Sequence, residues 1–324
     1  MTSSDLGFKP PAGLVATMTE QYGVFTSSQA YGFGFTHAEL QHLRDRRDLT
    51  SVRRGVYAVR EDYHALEDFE LHRVDAQAAL LCLDKPTTLS HETAAVWSGL
   101  PLLRPDLRLV HATRPELKAS RTEAGIHHHP GALPDGHWRE LGGVRLTTDA
   151  RTAVDVARTN DYARGLAVVD SAIRNGTPLA DIRDVQLHCR AWPGARGASR
   201  AVAEGDGRAA NPGESFSRAI LTQAGVAPTD IQVAIFDGRG LVGYADFGWL
   251  PLMVLGEFDG RLKYGAGAQG ADVLWNEKLR EDRLRSLGYE VIRWTWADLL
   301  DPTRLIARVS AALARVVARG AIVA

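Results

Sequence analysis

The stretch Leu241–Tyr264, LVGYADFGWLPLMVLGEFDGRLKY, constrains this chain more than any other. Two apolar, glycine-bearing runs, Gly243–Gly248 and Leu252–Phe258, have strand character, and Trp249-Leu250-Pro251 separates them. Three carboxylates, Asp246, Glu257 and Asp259, are set into these runs. A chain reversal near Pro251 puts Asp246 opposite Glu257 on adjacent antiparallel strands. Side-chain alternation then places Glu257 and Asp259 on one face. An ionised carboxylate inside a sheet is costly unless it is paired or bound to a metal. Three acids converging at the end of a hairpin therefore predict a divalent-cation site, and oxygen ligands suit Mg²⁺ or Mn²⁺.

The flanks extend the unit. Asn211 and Pro212 open a helix that carries Glu214 in its first turn. A strand follows over Asp230–Phe236, then a turn at Asp237–Gly240, then the hairpin. Beyond it, a charged helix ends near Gly288 and a strand runs from Tyr289 to Thr295. That helix is expected to cross over to a strand parallel to the one bearing Glu257. Pro302–Ala318 reads as a closing amphipathic helix.

From about Asn211 to Leu300 the pattern resembles the Vsr-related, MTES-like branch of the PD-(D/E)XK nuclease superfamily. The residues that carry the resemblance are Glu214 on a helix, Asp246 in the hairpin, Glu257-Phe258-Asp259-Gly260 at a strand end, and Glu277–Arg283 on a charged helix. The superfamily pattern has lysine two residues after the second acid, where this chain has Asp259; Lys263 and Lys278 are the alternatives. The resemblance implies phosphodiester hydrolysis. A metal held by Asp246 and Glu257 would activate water, with Asp259 or Glu214 holding a second ion or orienting that water. Lys263 or Lys278 would meet the charge developing on phosphorus. The competing expectation is an inactive domain whose acids form salt bridges with Arg261 and Arg283.

Leu14–Arg60 is the second informative block. Helices are expected at Leu14–Gln21, at Ser28–Tyr31 behind a Thr26 or Ser27 cap, and after Thr36 in HAELQHLRDR. DLTSVRRGVYAVR then reads as two short strands. Three helices followed by a basic hairpin is the layout of a winged helix-turn-helix. With Arg53-Arg54-Gly55-Val56-Tyr57 it resembles the amino-terminal domain of AbiEi-type antitoxins. That resemblance implies a third helix in the DNA major groove offering His37, Gln41, Arg44, Arg46 and Arg47, with Arg53 and Arg54 gripping phosphates.

Between these blocks, Asp68–Leu83, His91–Trp97, Asp149–Ala157 and Tyr162–Arg174 have helical character. Leu107–Ala112, Ile126–His129 and Val144–Thr147 have strand character. Thr148–Thr152 with Val154-Asp155 also resembles AbiEi-like proteins. Of the consecutive His127, His128 and His129, at most two share a strand face. Together with His111 and His137 they lack a Cys or an evident acid to complete a zinc site, so a polar strand edge is expected. His91-Glu92 reads as a helix-capping feature.

The reading is an α+β multidomain protein. It has a winged helix at 1–62, an α/β middle domain at 63–191, a Gly/Ala/Arg-rich linker at 192–210 and a restriction-endonuclease-like α/β core, a mixed sheet flanked by helices, at 211–324. A net charge of -1 offers no global basic field, so nucleic acid would be met by local patches. Cys82 and Cys189 read as reduced core thiols of a cytoplasmic protein. No signal-peptide core or membrane span is present in the sequence pattern. The expected partners are DNA and a cognate toxin or a second copy. Two function classes follow: a metal-dependent endonuclease, compatible with repair or phage defence, and a non-enzymatic antitoxin-type regulator. RNA remains an alternative substrate to DNA.

Overall fold

The computed structural model describes residues 8–83, 85–260 and 269–323. It divides into two units, Met1–Leu100 with Arg104–Asp155, and Pro101–Leu103 with Val156–Ala324.

The first unit begins with α1 (Ala12–Glu20), β1 (Val24–Thr26), α2 (Ser27–Gly32), α3 (His37–Asp45), β2 (Leu49–Arg53) and β3 (Val56–Val59). The three strands form an antiparallel sheet in the order β1-β3-β2. Thr26 with Gln29 and Thr36 with Glu39 build reciprocal capping boxes, fixing where α2 and α3 start. Leu14, Met18, Phe25, Ala30, Leu40 and Leu49 make the small core beneath them.

The same unit continues through α4 (Arg60–His64), α5 (Asp68–Leu81), β4 (Thr88–Leu89), α6 (His91–Ser98), β5 (Val110–Arg114), β6 (Arg121–Glu123), β7 (Ile126–Pro130), β8 (Trp138–Leu141), β9 (Val144–Thr147) and α7 (Asp149–Thr159). These six strands form a mixed sheet in the order β6-β7-β5-β4-β9-β8. The expected boundary at residue 62 does not separate the two sheets, because α5 serves both. Its Val74 and Ala78 pack with Val24, Val56 and Ala58, while Ala76 and Ala79 pack with Leu89 and Val110. The strand expected from Leu107 starts later. There the Asp106 carboxylate accepts from the Arg108 N–H at 3.1 Å, a local turn that competes with the ladder.

The second unit holds α8 (Tyr162–Arg174), α9 (Leu179–His188), α10 (Ala195–Ala203), α11 (Pro212–Gln223), β10 (Asp230–Asp237), β11 (Gly240–Trp249), β12 (Val254–Asp259), α12 (Gln269–Ser286), β13 (Glu290–Thr295), α13 (Trp296–Leu300) and α14 (Pro302–Val323). Its sheet order is β10-β11-β12-β13, antiparallel except that β12 and β13 are parallel, as the crossover requires. The break between β11 and β12 is a single 3-10 turn at Leu250–Leu252, followed by Met253 at a left-handed φ of 51°. Phe247 stacks on Trp294, whose indole N–H donates to Ser217 Oγ at 2.8 Å and ties α11 to the sheet.

Residues 192–210 are not a solvated linker. Within α10, Ala198, Ala201 and Val202 are buried. Asp170 on α8, fully buried, accepts from the Asp206 N–H, Ser215 Oγ and the Arg218 guanidinium, all at 2.7–2.8 Å. An uncompensated buried carboxylate would not persist, so this junction is a structural clamp holding α8, the 206 loop and α11 together. Cys189 is buried as expected, but Cys82 is exposed. Among the described residues no helix is long and apolar enough to cross a membrane.

Candidate active site

Two glycines bring the acid-bearing elements together. A Cβ on Gly213 would sit 2.2 Å from the Phe258 ring, so only glycine lets the first turn of α11 lie against β12. A Cβ on Gly256 would meet Trp294 at 2.5 Å, so glycine is also required where β12 passes the core indole. The β11–β12 ladder ends at the pair Phe247–Gly256, and Asp246 and Glu257 are the next residues beyond it on each strand.

Glu214 is buried at the start of α11. Its carboxylate accepts from the Ala210 N–H at 2.7 Å, the Asn211 side-chain amide at 2.7 Å and the Gln232 amide at 2.9 Å. Asn211 Oδ1 in turn accepts from the N–H groups of Gly213 and Glu214, so Glu214 also belongs to the helix cap. The same Gln232 nitrogen lies 3.3 Å from Asp246 Oδ1, while Asp246 Oδ2 accepts from the Phe258 N–H at 2.8 Å. Gln232 of β10 thus links Glu214 of α11 with Asp246 of β11, and Glu257 of β12 acts on Asp246 through its charge.

Burial raises the proton affinity of both Glu214 and Asp246. Backbone donors oppose this, and the neighbouring carboxylate adds to it, Asp246 for Glu214 and Glu257 for Asp246. Glu257 is managed differently. Arg280 on α12 reaches one oxygen at 2.6 Å and Arg293, its partner in the parallel β12–β13 register, reaches the other at 2.9 Å. The arginines expected for that task were others. Arg283 pairs with Asp237 at 2.7 Å, and Arg261 lies outside the described residues.

Asp259 lies two residues beyond Glu257 at the end of β12 and is half-buried. Among the described residues, Asp246, Glu257 and Asp259 do not close into a three-ligand cluster; the one group of that kind is formed by histidines. The acids spread because Gln232 and the Phe258 N–H hold Asp246, and two guanidinium groups hold Glu257. Lys278 is exposed on α12 two residues before Arg280, and Lys263 lies outside the described residues. Sequence reasoning missed Gln232, Arg280 and Arg293. Arg293 was recoverable, since Glu257 and Arg293 are each the fourth residue of neighbouring parallel strands.

The residues expected to meet DNA sit on the first unit. His37, Gln41 and Arg44 recur at four- and three-residue steps on α3 and are exposed along one face. Gln41 donates to Asp45 at 3.0 Å and accepts from Arg44 at 3.1 Å. Arg46 pairs with Asp48, and Arg47 follows at a left-handed φ of 65°, both exposed. Arg54 is exposed, but Arg53 departs from its expected role. Its guanidinium donates to the backbone carbonyls of Asp75 and Ala124, so it ties the hairpin to neighbouring elements rather than presenting its fork to solvent.

The histidines depart from expectation as well. His111 and His129 approach one another across β5 and β7, and His91, expected only as part of a cap, joins them from α6. The signal missed was the third element: strand periodicity cannot show which helix start lands on a sheet face.

No family model matches this chain. Two uncharacterized proteins of Mycobacterium tuberculosis, one from strain CDC 1551 / Oshkosh and one from strain ATCC 25618 / H37Rv, are similar to it. Each is 28% identical over 192 residues, which is 59% of this chain and 68% of the relative.

Proposed function

We propose that the second unit is a metal-dependent nuclease acting on DNA, and that the helices and antiparallel sheet of residues 12–59 act as a winged helix that contacts DNA. The observation that carries this reading is the group Glu214, Gln232, Asp246 and Glu257. In it one amide donor joins buried acids of two separate elements, Glu214 and Asp246, and the charge of Glu257 bears on Asp246. Burial, and after it the neighbouring carboxylate, raises the proton affinity of Glu214 and Asp246, and such shifts gather at functional sites.

The donor set fits a hard divalent cation. Asp246 and Glu257 offer carboxylate oxygens, and a bound cation would relieve the like-charge burden that Glu257 places on Asp246. When bound, such an ion supplies a polarised phosphoryl oxygen and a water of lowered pKa. In this chain Gln232 holds the Asp246 and Glu214 carboxylates in fixed orientation, and Arg280 and Arg293 orient Glu257. Lys278 is the described lysine proposed to meet charge developing on phosphorus. On α3, His37, Gln41 and Arg44 present the face proposed for the major groove, with Arg46, Arg47 and Arg54 at its border. DNA repair and phage defence both accommodate this activity.

A second reading is supported by Glu257. Both of its oxygens already meet guanidinium groups, which is how a non-catalytic scaffold would satisfy a half-buried acid. On that reading the protein is a DNA-binding regulator of antitoxin type, acting with a cognate toxin or a second copy. Cleavage assays on supercoiled, single-stranded and mismatched DNA, and on RNA, with Mg²⁺ or Mn²⁺, separate the two. Metal-dependent DNA cutting that Asp246→Ala and Glu257→Ala both lose supports the nuclease. Binding to its own promoter DNA with no cutting of any substrate favours the regulator.

A further inference from the structure

Alternation along β7 puts His127 and His129 on one face of the six-stranded sheet, and the parallel register sets His111 of β5 beside His127. The start of α6 is fastened to that face. The Ser90 N–H donates to the His111 carbonyl at 3.0 Å, and the His111 N–H donates to Thr93 Oγ1 at 2.8 Å. His91 enters between these two bonds, buried, at a left-handed φ of 51°. A non-glycine residue holds that conformation only where its surroundings impose it. Its ring stacks on His129 with centroids 3.7 Å apart, and its Nδ1 lies 2.9 Å from Ser90 Oγ. His111 Nδ1 and His129 Nε2 are 2.9 Å apart. One ring nitrogen from each of His91, His111 and His129 falls within 4.8 Å of the other two. Glu92, buried on α6, brings a carboxylate oxygen to 3.9 Å from His111 Nδ1.

We propose that His91, His111 and His129 bind a divalent transition-metal ion of the zinc class, with Glu92 as the oxygen donor that completes the set. Imidazole nitrogens favour zinc, copper, nickel or iron, whereas Mg²⁺ and Ca²⁺ demand oxygen. Zinc–nitrogen bonds of about 2.0–2.1 Å in a tetrahedron set ligand nitrogens roughly 3.3 Å apart. The His111–His129 pair therefore opens slightly, and His91 closes on it by a ring rotation. In the His111–His129 hydrogen bond one ring supplies the N–H; when the ion binds, that ring takes its other tautomer, with the proton on its far nitrogen, and both facing nitrogens ligate. The ligating form of each ring is the neutral imidazole. The hydrogen bond between Ser90 and His91 is of the kind that orients a ligating ring.

Three imidazoles and one carboxylate make a closed four-coordinate set, the arrangement of a structural rather than a catalytic ion. It would join α6, β5 and β7, three elements that share little regular pairing beyond the β5–β7 ladder. The site is independent of the acids of the second unit, which take a different class of cation.

The test uses the full chain, stripped with a chelator and then titrated with Zn²⁺ and with Co²⁺ as a spectroscopic probe. The expected result is one ion per chain, a rise in thermal midpoint, and the intense visible bands of tetrahedral Co²⁺. His111→Asn and His129→Asn should each weaken Zn²⁺ binding about a hundredfold or more. His127→Asn should leave it unchanged. Wild-type protein that takes up no stoichiometric Zn²⁺, or folded His111→Asn and His129→Asn variants with wild-type affinity, would overturn the proposal. Should those variants not fold, the Co²⁺ spectrum of the wild type decides. Tetrahedral bands support the histidine site, and the weak spectrum of an octahedral all-oxygen site refutes it.

Discussion

Gln232 stands across the β10–β11 ladder from Asp246, with its amide nitrogen 3.3 Å from Asp246 Oδ1. It holds this place at a left-handed φ of 51° in the middle of a strand. For a non-glycine residue that conformation costs on the order of 1 kcal/mol or more, so an interaction outside the strand must offset it. The same nitrogen reaches Glu214 at 2.9 Å, a contact outside the strand of the kind required.

Gln232→Gly and Gln232→Ala should therefore separate stability from activity. Both remove the amide, and both should lower metal-dependent cleavage by about 10–100-fold, as loss of a residue orienting metal ligands does. Only glycine relieves the backbone, so Gln232→Gly should be more stable than Gln232→Ala by about 1 kcal/mol in denaturant unfolding. Equal stability of the two variants would remove the case for strain.

Asp170 and Arg218 form a buried pair, with the carboxylate 0% and the guanidinium 13% exposed. Asp170→Ala strands Arg218 beside the Ser215 hydroxyl, and should cost about 3–5 kcal/mol in urea unfolding of the full chain. A loss under 1 kcal/mol would mean that α8 and α11 are not held by this clamp.

The buried acids Glu214 and Asp246 and the buried histidines of the first unit should respond to acid in opposite directions. Glu214 and Asp246 have raised proton affinity, so the folded chain holds their protons more tightly than the unfolded chain does. Their contribution is most favourable below the ordinary carboxylate range and declines as pH rises through it. Asp246→Asn should accordingly raise the thermal midpoint at neutral pH while abolishing any cleavage. A lower midpoint would indicate that Asp246 stabilises the fold as a charged group.

His72 and His111 behave in reverse, each held at about 4 chiefly by burial. The unfolded chain takes up their protons first, so the first unit should be fully stable above about pH 6.5 and lose stability as pH falls toward 4. Hydrogen exchange at β5 and α6, followed from pH 7 to pH 4, should show falling protection there before it falls at β11 and β12. Simultaneous loss in both units would contradict this assignment.

Much of this geometry is written in local sequence. The capping boxes at Thr26 and Thr36 and the Asn211-Pro212 helix start each depend on residues within three or four positions, and each helix begins where those residues place it. The placing of Asp246 and Glu257 on neighbouring strands follows from two strands and one break. What stayed hidden depends on contacts distant in the chain. Asp170 gave no sign that Arg218, 48 positions away, would meet it, so 192–210 read as a linker. Neither the sharing of α5 between two sheets nor the meeting of His91 with His129 has a periodic signature. The short, exposed β6 and β8 carry too little apolar pattern to be read at all.

Metal-dependent cleavage by this chain should depend most directly on Asp246. The most direct measurement is the single-turnover nicking rate of supercoiled DNA in Mn²⁺, wild type against Asp246→Asn, with folding of both confirmed by circular dichroism. The expected result is clear wild-type nicking and a loss of about a hundredfold or more in the variant. Wild-type protein that does not nick, or an Asp246→Asn variant that nicks as fast as wild type, would contradict it.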